Sequence, residues 1–171
     1  PGVIGHTAGS DTQLITFGEL SGPVQSARVR LLKEAFLQAG VAAYVPPDEV
    51  GILACLWEKF VKIVSFSGAT AVCRAGVGYV LDEPKAREMF DRLQAEGLAV
   101  ATAHGGDALM REPDWLATRL AQQQQLPKDA TASMQRDILA GRPSELHEQL
   151  GAMVRLAEEK GVAAPTMQTV Y

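Results

Sequence analysis

From Ser26 onward, apolar residues recur every three to four positions, the period of helices that bury one face. Val29, Leu32, Ala35 and Phe36 share such a face, while Arg28, Arg30, Lys33 and Glu34 fall mostly on the others and Gly40 ends the run. Asp48 is placed to cap a second helix, whose apolar stretch from Ile52 to Val72 extends to about Cys73. Gly76 and Gly78 then imply a turn. The pattern predicts further helices over Pro84–Glu96, Asp107–Gln124, Ser133–Leu139 and Pro143–Lys160. Pro143 suits a first helical position, where its missing N–H costs nothing, and Gly161 closes that last helix. The four glutamines at 122–125 read as a solvated helix end. Before Ser26 the pattern differs: Gly2, Gly5, Gly9 and Ser10 mark an extended segment, and Leu14-Ile-Thr-Phe alternates as a short strand. Ala42–Val45 can add one more strand. A ribbon this short rarely stands without a partner sheet. The fold class is therefore mainly α, with residues 1–22 an extended or β remnant and residues 23–171 a helical domain.

Composition narrows what such a domain can do. Its 171 residues can bury one ordinary core, and 47% hydrophobic with 21% charged residues is the make-up of a globular protein. The net charge of −4, without a stripe of Lys and Arg, argues against nucleic acid, since phosphate binding needs a basic footprint. Glu58, Lys59 and Lys62 interrupt the longest apolar run, which argues against a membrane span. No signal-peptide pattern opens the sequence. Cys55 and Cys73 lie in apolar surroundings without a CxxC, as reduced buried thiols do. A cytoplasmic setting is expected. His6, His104 and His147 are scattered at no metal-ligand spacing, so no metal is expected. Gly76-x-Gly78 lacks the third glycine and preceding strand of a dinucleotide fingerprint.

Two constellations can carry chemistry. Glu58 precedes Lys62 by four residues, the favourable order for a helical ion pair, but Lys59 has no acid at helical spacing. Lys59, Ile63, Ser67 and Thr70 form one stripe, apolar but for three polar tips. Lys59 either snorkels to water along its stem or sits in a cleft as an ammonium that donates a proton. The second stretch is Ala132-Ser-Met-Gln-Arg-Asp137 with Glu145 downstream. Glu145 falls at the third position of the predicted last helix, where a carboxylate complements the helix dipole, and Ser133 can be an N-cap. Asp137 and Arg142 can pair across the turn.

Trp57-Glu-Lys59-Phe, Ala132-Ser-Met-Gln-Arg-Asp137, Gly141-Arg-Pro-Ser-Glu145-Leu and Gly161-Val-Ala-Ala-Pro165 occur in an order and spacing that resembles the ketopantoate reductase family. Gly18-Glu19 followed by Ser26-Ala-Arg28 resembles the junction between that family's two halves. The resemblance implies the helical C-terminal domain of a 6-phosphogluconate-dehydrogenase-like type, with residues 1–22 left from a Rossmann domain and its linker. It further implies NADPH-dependent reduction of a small-molecule 2-oxo acid to a 2-hydroxy acid, in a cleft between the two domains, by a homodimer. Lys59 resembles the family's catalytic lysine. Ser133 resembles the serine that holds the substrate, Ser67 occupies a second substrate-binding position, and Glu145 resembles the acid that contacts the cofactor near the reacting centre.

The family pattern places asparagines where this chain has Ile63, Ser67 and Val77. A hydrogen-bond partner withdrawn from a buried polar substrate group costs on the order of 1–3 kcal/mol. The implied substrate is therefore less polar than ketopantoate. The alternative is a helical dimerisation or interaction module that keeps the scaffold without the chemistry. A cofactor-free ligand binder has only the apolar Lys59 helix in its favour.

Overall fold

The computed structural model describes residues 14–106 and 125–171. The glycine-rich segment with His6, and the helix predicted over Asp107–Gln124, lie outside the described residues. The chain divides into two compact units, Pro1–Cys55 and Leu56–Tyr171.

The first unit is built on a strand–helix–strand crossover. Strand β1 (Leu14–Thr16) pairs in parallel with β2 (Ala42–Tyr44), Leu14 facing Ala42 and Thr16 facing Tyr44. Parallel strands need a long crossover, and helix α1 (Ala27–Gln38) supplies it. Ser26 starts α1 by accepting the Val29 N–H. Gly40, at φ 72°, ends it, and the Val41 N–H returns to the Phe36 carbonyl at 2.9 Å. A small core of Val24, Val29 and Val45 packs against Phe17, whose ring meets that of Phe36 at 5.7 Å between centroids. The helical face expected to be buried is only partly so. Leu32 and Ala35 are exposed and Phe36 is half-buried, leaving Val29 as the buried contact of α1. Residues between β1 and α1 are clamped by Glu19, which accepts from Ser26 Oγ at 2.7 Å and from Arg28 Nε at 2.6 Å.

The long helix α2 (Glu49–Cys73) passes from the first unit into the second. Asp48 caps it as its sequence position predicts, its Oδ1 accepting the Gly51 N–H at 2.7 Å. At its far end Arg74 takes a left-handed conformation, φ 52°, and the Ala75 N–H reaches back to the Thr70 carbonyl.

In the second unit α3 (Val77–Asp82), α4 (Pro84–Ala103), α5 (Ser133–Leu139), α6 (Leu146–Lys160) and α7 (Pro165–Val170) complete the described elements. Its core is apolar: Val61 and Val64 from α2, Phe90 and Leu93 from α4, Met134 from α5, Leu150 and Met153 from α6, and Met167 from α7 are all inaccessible. Each such side chain contributes about 1.5–3 kcal/mol of burial free energy.

Four features depart from the sequence expectation. Helix α4 runs on to Ala103 instead of stopping near Glu96, because Gly97 brings α4 close to its neighbours. A Cβ there would lie 3.0 Å from Val61 and 3.1 Å from Met167. The turn at Gly76 and Gly78 opens the short helix α3, and both glycines lie against residues 128–130, whose carbonyls accept the Val77 and Gly78 N–H groups at 2.9 Å. The last long helix begins at Leu146, not Pro143. Finally, α7 is a six-residue helix too short to leave a periodic signal. Its N-terminal amides are held from α4, with Glu96 accepting the Thr166 and Met167 N–H groups at 2.9 Å each.

Candidate active site

Exposure falls steadily along the α2 stripe. Lys59 is exposed, Ile63 half-buried, Ser67 3% exposed and Thr70 inaccessible. The Thr70 hydroxyl is satisfied inside its own helix, donating to the Phe66 carbonyl at 2.8 Å, so it is not available to a substrate. Lys59 has no ion pair or side-chain hydrogen bond among the described residues, which leaves its ammonium open to a ligand. Lys62, which spacing pairs with Glu58, is solvent-exposed, where such a pair is worth little. Trp57, two residues before Lys59, is instead fixed structurally. Its ring lies 5.7 Å from that of His104, and His104 Nε2 donates to the Leu156 carbonyl at 2.9 Å.

Ser133 is the exposed first residue of α5. It is not the cap; Ala132 occupies that position and no side chain caps the helix. Arg142 pairs with Asp137 as predicted, Nη2 to Oδ1 at 2.6 Å, which shapes the turn leading to α6. Glu145 is the N-cap residue of α6 instead of its third position, and its carboxylate makes no cap hydrogen bond. The carboxylate accepts from Gln149 Nε2 at 2.7 Å. Both Glu145 and Ser133 are exposed.

The segments carrying Ser67, Ser133 and Glu145 meet around one apolar pocket of about 180 Å³. Gly68, Met134 and Leu146, each the next residue in sequence, line it together with Ala71, Leu150 and Val170. Lys59 is not among its walls. Nine residues before Gly68 on α2, it stands about 13 Å away along the helix axis.

Val77, at the third asparagine position, is 1% exposed in the core. Gly76 cannot cradle a phosphate, because a Cβ there would already lie 2.6 Å from the Lys128 carbonyl oxygen. Cys55 and Cys73 are half-buried and not in the core as expected, and burial, with Glu83 as a second cause, pushes the Cys73 thiol above its ordinary range, which disfavours the reactive thiolate. Among the described residues no group of three His, Cys, Asp or Glu could hold a metal, and no helix is long and apolar enough to cross a membrane. Sequence reasoning missed Glu96, whose partners lie about 70 residues further on, and Gln149, whose spacing from Glu145 is that of any surface pair.

Comparison with known proteins agrees with the helical architecture. Residues 51–171 match the family profile described as "Ketopantoate reductase PanE/ApbA C terminal". The 2-dehydropantoate 2-reductase of Halobacterium salinarum is 27% identical over 173 residues, covering 99% of this chain and 52% of that protein. Among solved structures, the dimeric ketopantoate reductase of Staphylococcus aureus superposes with a TM-score of 0.75 at 23% identity, over 86% of this chain and 49% of that one. The 2-dehydropantoate 2-reductase of Methylococcus capsulatus gives 0.70 at 27% identity, over 85% and 44%. The chain thus spans about half the length of the relatives it matches.

Proposed function

The chain belongs to the ketopantoate reductase family, matching its C-terminal domain, and from that premise we propose that it is the helical half of an NADPH-dependent 2-oxo-acid reductase. The observation that carries this reading is Lys59, an exposed ammonium with no partner among the described residues, at the exposed end of a helical stripe that runs into the core at Ser67 and Thr70. A general acid needs a proton that is not already committed to an ion pair. As the substrate carbonyl is reduced, Lys59 protonates the oxygen on which negative charge grows, the point where a fixed cation lowers the barrier. Ser133 and Ser67 hold the substrate, and Glu145 contacts the cofactor near the reacting centre.

The reduced nicotinamide, when bound, supplies the hydride. At Gly76 a Cβ would meet the backbone of residues 128 and 129, and at Gly78 it would first meet the Lys128 side chain, so neither glycine has room for the cofactor's phosphates. The cofactor's phosphates therefore belong to a Rossmann domain, of which residues 1–22 are the remnant and linker. By itself the helical half is inactive, and the working enzyme is a cytoplasmic homodimer. Ile63, half-buried where an asparagine is expected, favours a less polar 2-oxo acid than ketopantoate.

The test is NADPH oxidation by the two-domain enzyme against a panel of 2-oxo acids, ketopantoate included. Lys59→Ala is expected to lower kcat by roughly 10²-fold or more, the scale of a positioned general acid. Ordinary turnover of ketopantoate would refute the less polar substrate. Unchanged turnover in the Lys59 variant would refute the proton donor. No turnover with any panel member would favour the alternative, a helical interaction module, which the apolar and core-buried asparagine positions Ile63 and Val77 support.

A further inference from the structure

Gln149 touches Glu145 twice. Its backbone N–H donates to the Glu145 carbonyl at 2.8 Å, and its side-chain Nε2 donates to Glu145 Oε2 at 2.7 Å. An ionised carboxylate only accepts, so the amide turns its nitrogen toward Glu145. That orientation leaves Gln149 Oε1 buried without a hydrogen-bond partner among the described residues. An unpaired buried carbonyl oxygen is unfavourable, and a glutamine with no other task would turn its amide to water.

Glu145 is unusual in a complementary way. An N-cap carboxylate ordinarily bonds the free amides of its own helix, yet that of Glu145 caps none of them. The pair therefore gives up stability on both sides: a carboxylate that does not cap, and an amide that buries its own oxygen to hold it. We infer that Gln149 is a positioning residue for Glu145, fixing the carboxylate in the orientation that its contact with the cofactor requires. This rests on the cofactor-contacting role given to Glu145 above. Methionine in place of Gln149 keeps the side-chain length, removes the donor and removes the orphan oxygen.

The test compares Gln149→Met, Glu145→Gln and the double variant in the two-domain enzyme, with thermal melting of the 171-residue chain alongside. Gln149→Met is expected to raise KM for NADPH about tenfold, the size of one charge-assisted hydrogen bond. KM for the oxo acid should stay unchanged, and the melting temperature should be unchanged or higher. In the Glu145→Gln background Gln149→Met should add nothing. A merely structural Gln149 would instead lower the melting temperature and move both KM values together, which overturns the inference. If Glu145→Gln raises KM for NADPH and Gln149→Met does not, the positioning role alone is wrong. If Glu145→Gln leaves KM for NADPH unchanged, the assignment of Glu145 fails and leaves Gln149 nothing to position.

Discussion

Glu19 shows how much one acid can do at a chain reversal. Its carboxylate is drawn from the ordinary 4.5 down to about 2, first by the hydrogen bond from Arg28 and then by that from Ser26. A carboxylate whose folded value is depressed stabilises the fold fully above its unfolded value and loses that contribution as it takes up a proton. The clamp should therefore hold above pH 4.5 and fade between 4.5 and about 2. Chemical unfolding of wild type and Glu19→Gln between pH 6 and pH 2.5 checks this, the wild-type advantage shrinking only in the acid range. Local pairs of this kind were legible in advance. Asp48 capping α2 and Asp137 meeting Arg142 both follow from separations of three to five residues. Glu96 was not legible, because the two amides it holds lie about 70 residues further on. Gln149 was illegible for another reason: its spacing from Glu145 is that of any surface pair, and only burial of its oxygen sets it apart.

At the scale of elements, periodicity found the long helices of the described residues and misjudged their ends where packing decides. The pattern ended α4 near Glu96, yet Gly97 lies within the helix, at the point of close approach between α4, Val61 and Met167. The reverse error occurred at Pro143, where helical chemistry is present but the helix begins only at Leu146. Gly141, at φ 65°, and the Asp137–Arg142 pair keep the intervening residues in a turn. Gly76 gives the sharpest element-scale prediction. A methyl group there would meet the Lys128 carbonyl oxygen at 2.6 Å and the Asp129 Cα at 2.9 Å, and neither is a flexible side-chain tip. Gly76→Ala should cost about 1–3 kcal/mol through forced backbone shifts. Urea unfolding of the chain measures it, and a cost below about 0.5 kcal/mol would mean that residues 128–130 yield easily.

The two units differ in how much they bury, and whole-molecule behaviour should follow that difference. Leu56–Tyr171 holds inaccessible side chains from α2, α4, α5, α6 and α7, whereas the first unit packs Val24, Val29 and Val45 around Phe17. Local opening free energies track buried apolar contacts. Amide hydrogen exchange should therefore be fast across α1 and β2 and slow across α4 and α6. Equal protection in the two units would contradict this account. Sequence patterning anticipated the mainly helical class and the short strands. Leu32 and Ala35 of α1 were a different matter: their spacing reads as core, yet they are exposed, since amphipathicity records that a face is to be covered and not by what.

The parallel pair β1–β2 has one practical consequence. Parallel strands are ordinarily buried on both faces, whereas among the described residues Leu14, Ile15 and Tyr44 are exposed on a sheet of two strands. Open strand edges bearing apolar side chains are templates for adding further strands. Handled by itself at high concentration, the chain is thus poised to grow edge to edge into assemblies that scatter light, and charged residues at positions 14 and 15 are the simplest way to keep it dispersed.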